Sequence, residues 1–282
     1  LLRNNYVNHN THAVVNPAPA GMFTHITPGN GSGVVEFGLN QFARDGDYGS
    51  AADVNDDGWV DIFMRKRDEN DFFLNQGGIF ANGANLADAN NSNKGGNGLW
   101  DLDNDGDLDA VWTENDITQI FRNDGPGVWV PLGGGVFPGL PQPPNTTGGN
   151  SAAEIEALAG GDVDNDGDID ILLVGNGRSY LYINQLNSPT PAPGVIGSGS
   201  AMSFSLDPQT FNSGNGEGTT MLDIDDDGDL DIYMNISGTN RLYINNLPAA
   251  NRNNHLLINV TEDRGANGST GGVPDRVAIG TN

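Results

Sequence analysis

Four short apolar runs recur along the chain: Ile62-Phe63-Met64, Ala110-Val111-Trp112, Ile171-Leu172-Leu173 and Ile232-Tyr233-Met234. Each follows a nine-residue stretch dominated by Asp, Asn and Gly. Apolar runs this short, bounded by turn residues, read as buried strands rather than helices. A second apolar run then ends at an Asn in every repeat: Phe72-Phe73-Leu74-Asn75, Ile120-Phe121-Arg122-Asn123, Leu181-Tyr182-Ile183-Asn184 and Leu242-Tyr243-Ile244-Asn245. That Asn stands fourteen residues after the Asp that closes the polar stretch, four times over. The repeat is therefore strand, polar loop, strand, turn, strand, with a fourth strand to follow. Four strands in about 50–60 residues is the content of a propeller blade. The predicted fold class is all-β, a β-propeller or propeller arc of four-stranded blades.

The polar stretches align without gaps and carry the candidate chemistry. Loop 1 offers Asp53, Asn55, Asp57, Trp59 and Asp61 at positions 1, 3, 5, 7 and 9. Loop 2 offers Asp101, Asp103, Asp105, Asp107 and Asp109. Loop 3 offers Asp162, Asp164, Asp166, Asp168 and Asp170, and loop 4 offers Asp223, Asp225, Asp227, Asp229 and Asp231. Position 6 is Gly each time, which permits a sharp turn. Side-chain oxygens at 1, 3 and 5, a backbone carbonyl at 7 and an Asp at 9 make a flexible ring of hard ligands. Such a ring suits Ca²⁺ better than Mg²⁺, which demands tighter octahedral geometry. Four Ca²⁺ sites are expected. An EF-hand would need a Glu at position 12. Here position 12 is Met64, Trp112, Leu173 or Met234, all in expected strands.

Composition sharpens this picture. The formal net charge is −25, and twenty of the 37 acidic residues lie in the four loops. Carboxylates so concentrated repel one another unless a cation sits among them. With 12 Lys plus Arg, the chain is a poor partner for nucleic acid or anionic lipid, and no nucleic-acid partner is expected. There is no Cys, hence no disulfide framework and no Cys-ligated zinc. No segment approaches the roughly 18 apolar residues of a membrane span.

The loops resemble the FG-GAP repeat of integrin-α-type propellers, also described as the VCBS repeat of bacterial surface proteins. The resemblance covers roughly residues 45 to 250. It implies a propeller, commonly seven-bladed, with one Ca²⁺ in the loop joining two strands of a blade. The tail from Asn254 to Val260, followed by Asp263-Arg264-Gly265-Ala266, is similar to the segment after such repeats in some bacterial secreted proteins.

The expected organisation is a partial blade over 1–45, four calcium-binding blades over 46–250, and C-terminal strands over 251–282. Leu1-Leu2-Arg3-Asn4 matches the Asn-ended strand, and Phe23 to Thr27 reads as the outer strand after it. A start in mid-blade at Leu1 reads as a processed or truncated product. The split blade would be completed by the tail strands His255–Val260 and Arg276–Ile279, by a neighbouring chain, or by upstream residues. The Gly/Pro-rich stretches 131–150 and 188–200 read as surface connectors. His9, His12, His25 and His255 are scattered, and Glu154 and Glu156 read as the wet face of a strand. Six Asn-x-Ser/Thr sequons occur, at Asn30, Asn90, Asn145, Asn235, Asn259 and Asn267. Asn235 follows a strand expected to be buried, a poor place for a glycan.

The expectation is an extracellular or cell-surface protein, a calcium-stabilised adhesion or structural module. A subunit of a surface filament or layer is its sharper form. Its partners would be protein or glycan at a cell surface, or further copies of itself. The alternative is a carbohydrate-active propeller enzyme, a lyase or hydrolase, or a glycan-binding lectin. No residue pattern demands catalysis, and fold does not give function.

Overall fold

The computed structural model describes the backbone strands near the N-terminus and residues 46–66, 70–86, 95–114, 117–132, 155–177, 179–186, 204–209, 211 and 214–248. The tail strands expected after residue 250, and most of the two Gly/Pro-rich connectors, lie outside these residues. All regular structure among them is β. Strands β1 (Leu2–Asn4) and β4 (Phe23–His25) pair, as do β2 (Val7–Asn8) and β3 (Ala13–Val14).

Four larger sheets follow, each an antiparallel meander in chain order. The first is β5 (Gly46–Ala52), β6 (Asp61–Lys66), β7 (Asn70–Asn75) and β8 (Phe80–Leu86). The second is β9 (Asn97–Trp100), β10 (Asp109–Glu114), β11 (Ile117–Asn123) and β12 (Trp129–Pro131). The third is β13 (Ile155–Gly161), β14 (Asp170–Gly175), β15 (Ser179–Asn184) and β16 (Phe204–Leu206). The fourth has three described strands, β17 (Gly216–Leu222), β18 (Asp231–Ile236) and β19 (Arg241–Tyr243). The first three sheets have the four strands expected from the repeat, and in all four sheets the Asp-rich loop joins the first strand to the second.

The register is as regular as the sequence. In the first three sheets the Asn that ends the third strand pairs with an aromatic residue opening the fourth: Asn75 with Phe80, Asn123 with Trp129, Asn184 with Phe204. At the N-terminus Asn4 pairs with Phe23 in the same way. In the fourth sheet Leu242 and Ile244 stand exposed, although their counterparts Leu181 and Ile183 are buried or half-buried. No strand among the described residues lies on the far side of β19.

The chain divides into two compact units. In the first, the core joins the β5–β8 and β9–β12 sheets through aromatic rings. Phe63 stacks on Phe72 with centroids 4.6 Å apart, and Phe72 stacks on Trp129 at 4.5 Å. Trp112 is fully buried, stacks on Phe121 and meets Phe63 edge-on. In the second unit the core is mostly aliphatic, with Leu172, Val174, Leu181, Ile232, Met234 and Phe211 at its centre. All six residues of β14 are buried, as expected of a continuous apolar strand covered on both faces. Burial of apolar surface, at about 25 cal/mol per Å², is what holds each pair of sheets together.

Candidate metal centres

The four loops share one backbone path. Position 4 is left-handed in each, at φ 56° for Asp56, 57° for Asn104, 58° for Asn165 and 59° for Asp226. Position 6 is left-handed too, at φ 85° for Gly58, 99° for Gly106, 96° for Gly167 and 91° for Gly228. Asn and Asp tolerate that conformation better than other side chains, and Gly adopts it freely. This explains why position 4 is only ever Asn or Asp, and position 6 only Gly.

That path turns a series of backbone N–H groups toward carboxylates. The position 1 carboxylate accepts from the N–H of position 5 through one oxygen, Asp57 to Asp53 at 3.2 Å and Asp166 to Asp162 at 3.0 Å. It accepts from the Gly at position 6 through the other, at 2.8 Å in loop 1 and 3.0 Å in loops 2, 3 and 4. The position 5 carboxylate accepts from the N–H of position 7, as in Trp59 to Asp57 and Asp107 to Asp105, both 2.9 Å. The position 9 carboxylate is held from two sides. Its Oδ2 accepts from the N–H of position 2, from Val54, Val163 and Ile224. Its Oδ1 accepts from the N–H of the Asn fourteen residues on, in all four repeats, at 2.7 to 2.9 Å.

The carboxylates of positions 1, 3 and 9 converge. In Asp101–Asp103–Asp109, Asp162–Asp164–Asp170 and Asp223–Asp225–Asp231, one oxygen from each residue lies within 4.8 Å of the others. Loop 1 has the same frame, with the amide of Asn55 in place of the position 3 carboxylate. The position 5 carboxylates of Asp105 and Asp166 fall outside these triads; in loop 4, Asp227 groups with Asp225 and Asp229. At position 7 the Trp59 side chain is 46% exposed and carries no oxygen, so a ligand there in loop 1 would be the main-chain carbonyl, whereas the side chains of Asp168 and Asp229 are buried.

The electrostatics fit a cation. Burial pushes the Asp170 carboxyl up to about 8, against two backbone hydrogen bonds that pull the other way. Burial, then the charges of Asp166 and Asp162, raises Asp164 to about 6. Asp164 Oδ1 is buried without a hydrogen-bond partner. Asp61, Asp162 and Asp225 are raised as well, burial first in each case. Carboxylates gathered and desolvated in this way are costly by themselves, and a divalent ion reverses the cost. The donor set is all oxygen, as Ca²⁺ prefers.

A sequence family now accounts for part of this frame. Residues 162–234 match the FG-GAP-like repeat. The matched FG-GAP-like span opens at Asp162, the first residue of loop 3, and closes at Met234, just past loop 4. Loops 1 and 2 lie outside it and share its hydrogen bonds. No curated protein matches the chain. Among solved structures, one of the Photorhabdus luminescens Tc holotoxin pore aligns with 68% of this chain and 8% of its own, at 14% identity and a TM-score of 0.36. An Agrocybe aegerita lectin, solved to explain recognition of non-reducing terminal N-acetylglucosamine, aligns with 72% of this chain and 53% of its own, at 19% identity and a TM-score of 0.42.

Two other features complete the inventory. A cleft of about 360 Å³ in the second unit is lined by Asp164, Asp207, Gln209, Phe211, Tyr243 and Asn246, among others. Asn235 is the one sequon residue whose side-chain exposure is described, and it is exposed rather than buried. No helix among the described residues is long and apolar enough to cross a membrane.

Sequence reasoning marked the loops whose carboxylates the structure brings together, and it missed two residue roles. The position 4 residue sets the turn. The Asn fourteen residues on was seen as a landmark, while its hydrogen bond to the closing Asp was not. Its invariant spacing was the available signal.

Proposed function

We propose that this chain is a calcium-stabilised extracellular module for adhesion or structural assembly. The observation that supports it best is the convergence of positions 1, 3 and 9 inside one hydrogen-bonded frame, repeated along the chain. Each loop would hold one Ca²⁺ at about 2.3–2.6 Å from its oxygens. Asp at positions 1, 3, 5 and 9, with Asn55 at position 3 of loop 1, supplies side-chain oxygen, and position 7 supplies its carbonyl. The ion locks loops that the small cores between sheets cannot hold by themselves. Free calcium is abundant outside cells, which favours that setting over the cytosol for sites of modest affinity.

Titration calorimetry of the full chain with Ca²⁺ tests the metal reading. Four equivalents, abolished by chelator, are expected; no heat and no uptake by equilibrium dialysis would refute it. Electron microscopy of calcium-loaded and chelated material tests the assembly reading, with ordered particles or fibres expected only when calcium is present.

The cleft lined by Tyr243, Asp207, Gln209 and Asn246 favours a second reading, capture of a small polar ligand such as a monosaccharide. Asp207 is its carboxylate outside the loops, and no His or Arg is among its lining residues. Binding suits that lining better than acid–base chemistry. Saturable binding in a glycan screen, lost in Tyr243→Ala, would establish it.

A further inference from the structure

Loops 3 and 4 hold each other at two points. Asn165, fourth in loop 3, is 7% exposed and left-handed. Its Nδ2 donates to the Gly228 carbonyl of loop 4 at 3.0 Å. In return, Asn245 gives its backbone N–H to Asp231 Oδ1 at 2.8 Å and its side-chain Nδ2 to the Val163 carbonyl of loop 3 at 2.7 Å. Loop 3 thus donates to loop 4 directly, and the repeat that carries loop 4 donates back to loop 3 through Asn245. In the first unit, the fourth residue of loop 1 is Asp56, with the same left-handed backbone. A carboxylate cannot donate.

We infer that Asn165 is a positioning residue that couples loop 3 to loop 4, so that an ion in one loop raises the affinity of the other. The inference rests on the calcium reading above. Asn165 stands between Asp164 and Asp166, at positions 3 and 5 of its own loop. An ion held by those neighbours fixes the backbone on both sides of it and so aims its amide. The amide fixes the Gly228 carbonyl, and with it the peptide that leads into Asp229, the seventh position of loop 4. Binding linkage is reciprocal, so loop 4 acts on loop 3 to the same extent. One hydrogen bond between neutral groups is worth about three- to tenfold in affinity. Loop 1 has no such donor, and an ion there leaves loop 2 unaided by this route.

The test is a double-mutant cycle on the full chain with Ca²⁺ as the only ligand. Loop 3 is disabled by Asp162→Ala. The calcium affinity of loop 4 is then read from hydrogen-exchange protection across residues 223–231 as calcium is raised. The expected result is a loss of about three- to tenfold at loop 4 in the otherwise natural chain, and less than about twofold when Asn165→Gly is also present. Glycine keeps the left-handed backbone and removes the donor. Asn165→Asp, which copies the residue found in loop 1, is the second variant and gives the same loss of coupling. Disabling loop 1 by Asp53→Ala leaves loop 2 within about twofold. Equal loop 4 affinity with and without loop 3 overturns the inference while leaving the calcium reading intact. So does an equal loss in the Asn165→Gly background. A natural chain that takes up no calcium overturns both.

Discussion

Asn123 donates its side-chain Nδ2 to the backbone carbonyl of Val54 at 3.0 Å, sixty-nine residues back along the chain. The same Asn gives its backbone N–H to Asp109 Oδ1 at 2.9 Å. One buried side chain thereby ties the end of a strand to the loop of its own repeat and to the loop before it. Asn184 does this for Asp170 and Leu102, and Asn245 for Asp231 and Val163.

Truncating such a residue strands a buried carbonyl. Asn184→Ala removes the bonds to Leu102 and Ile169 together. It should cost about 1–3 kcal/mol in urea unfolding. Its neighbour Asn246, whose bond to Ile244 is exposed, should tolerate Ala within about 0.5 kcal/mol. Equal costs would deny the clasp its role.

Calcium removal should lower the melting temperature. An ion bound only by the native state adds about 2.7 kcal/mol per site at a hundredfold excess over its dissociation constant. Differential scanning calorimetry with excess chelator should show a drop of several degrees, restored by calcium but not by an equal concentration of sodium. An unchanged melt would show that the loops do not carry stability.

The chelated protein should also lose stability as pH rises. Asp170 has its folded pKa raised to about 8 by burial, well above the ordinary carboxyl value of 3.8. Between those values the folded state holds a proton that the unfolded state has released, so stability falls from about pH 4 to about pH 8. Asp164, raised to about 6, adds to the fall over the lower part of that window. Calcium replaces the proton. The gap between calcium-loaded and chelated melting temperatures should therefore widen from pH 5 to pH 8. A constant gap would contradict this account.

Loop 2 isolates the contribution of position 5. Asp105 lies outside the converging triad and accepts the Asp107 N–H at 2.9 Å. Asp105→Ala should weaken calcium at loop 2 by about tenfold or more, since ligand charge sets affinity in such loops. Stoichiometry in calorimetry should fall by one at low calcium, with the other three sites retained.

Trp112 occupies the place where an EF-hand would carry its closing Glu, and here it is core. It is fully buried against Phe63 and Phe121. Its Nε1 finds no acceptor among the described residues. Trp112→Ala should cost about 3–5 kcal/mol through the void it leaves. Trp112→Phe should cost far less, because it keeps a stacked ring and removes the unpaired N–H. Denaturant midpoints of the two variants measure the difference.

Much of this was legible in the sequence because Asp-rich loops and buried strands are local patterns. Asp at alternate positions with Gly at the sixth marks the loops, and Ala110 to Trp112 or Ile171 to Leu173 mark the strands behind them. Contacts between repeats were not legible. That Asn245 reaches Val163 depends on where folding sets one sheet beside another, and spacing within a repeat says nothing of it. Exposure at sheet edges was hidden for the same reason. Leu242 and Leu181 occupy equivalent places in the pattern and differ in burial. Position 4 was overlooked because its residue works through φ rather than through its oxygens.

The clasp also has a direction in time. Val54 must wait for Asn123, and Val163 must wait for Asn245, eighty-two residues further on. A ribosome adding about 5–20 residues per second needs roughly 3–16 s to cover those distances. During that interval the earlier loop is already made but lacks one of its donors. Each of the first three loops is thus completed by the repeat that follows it in the chain.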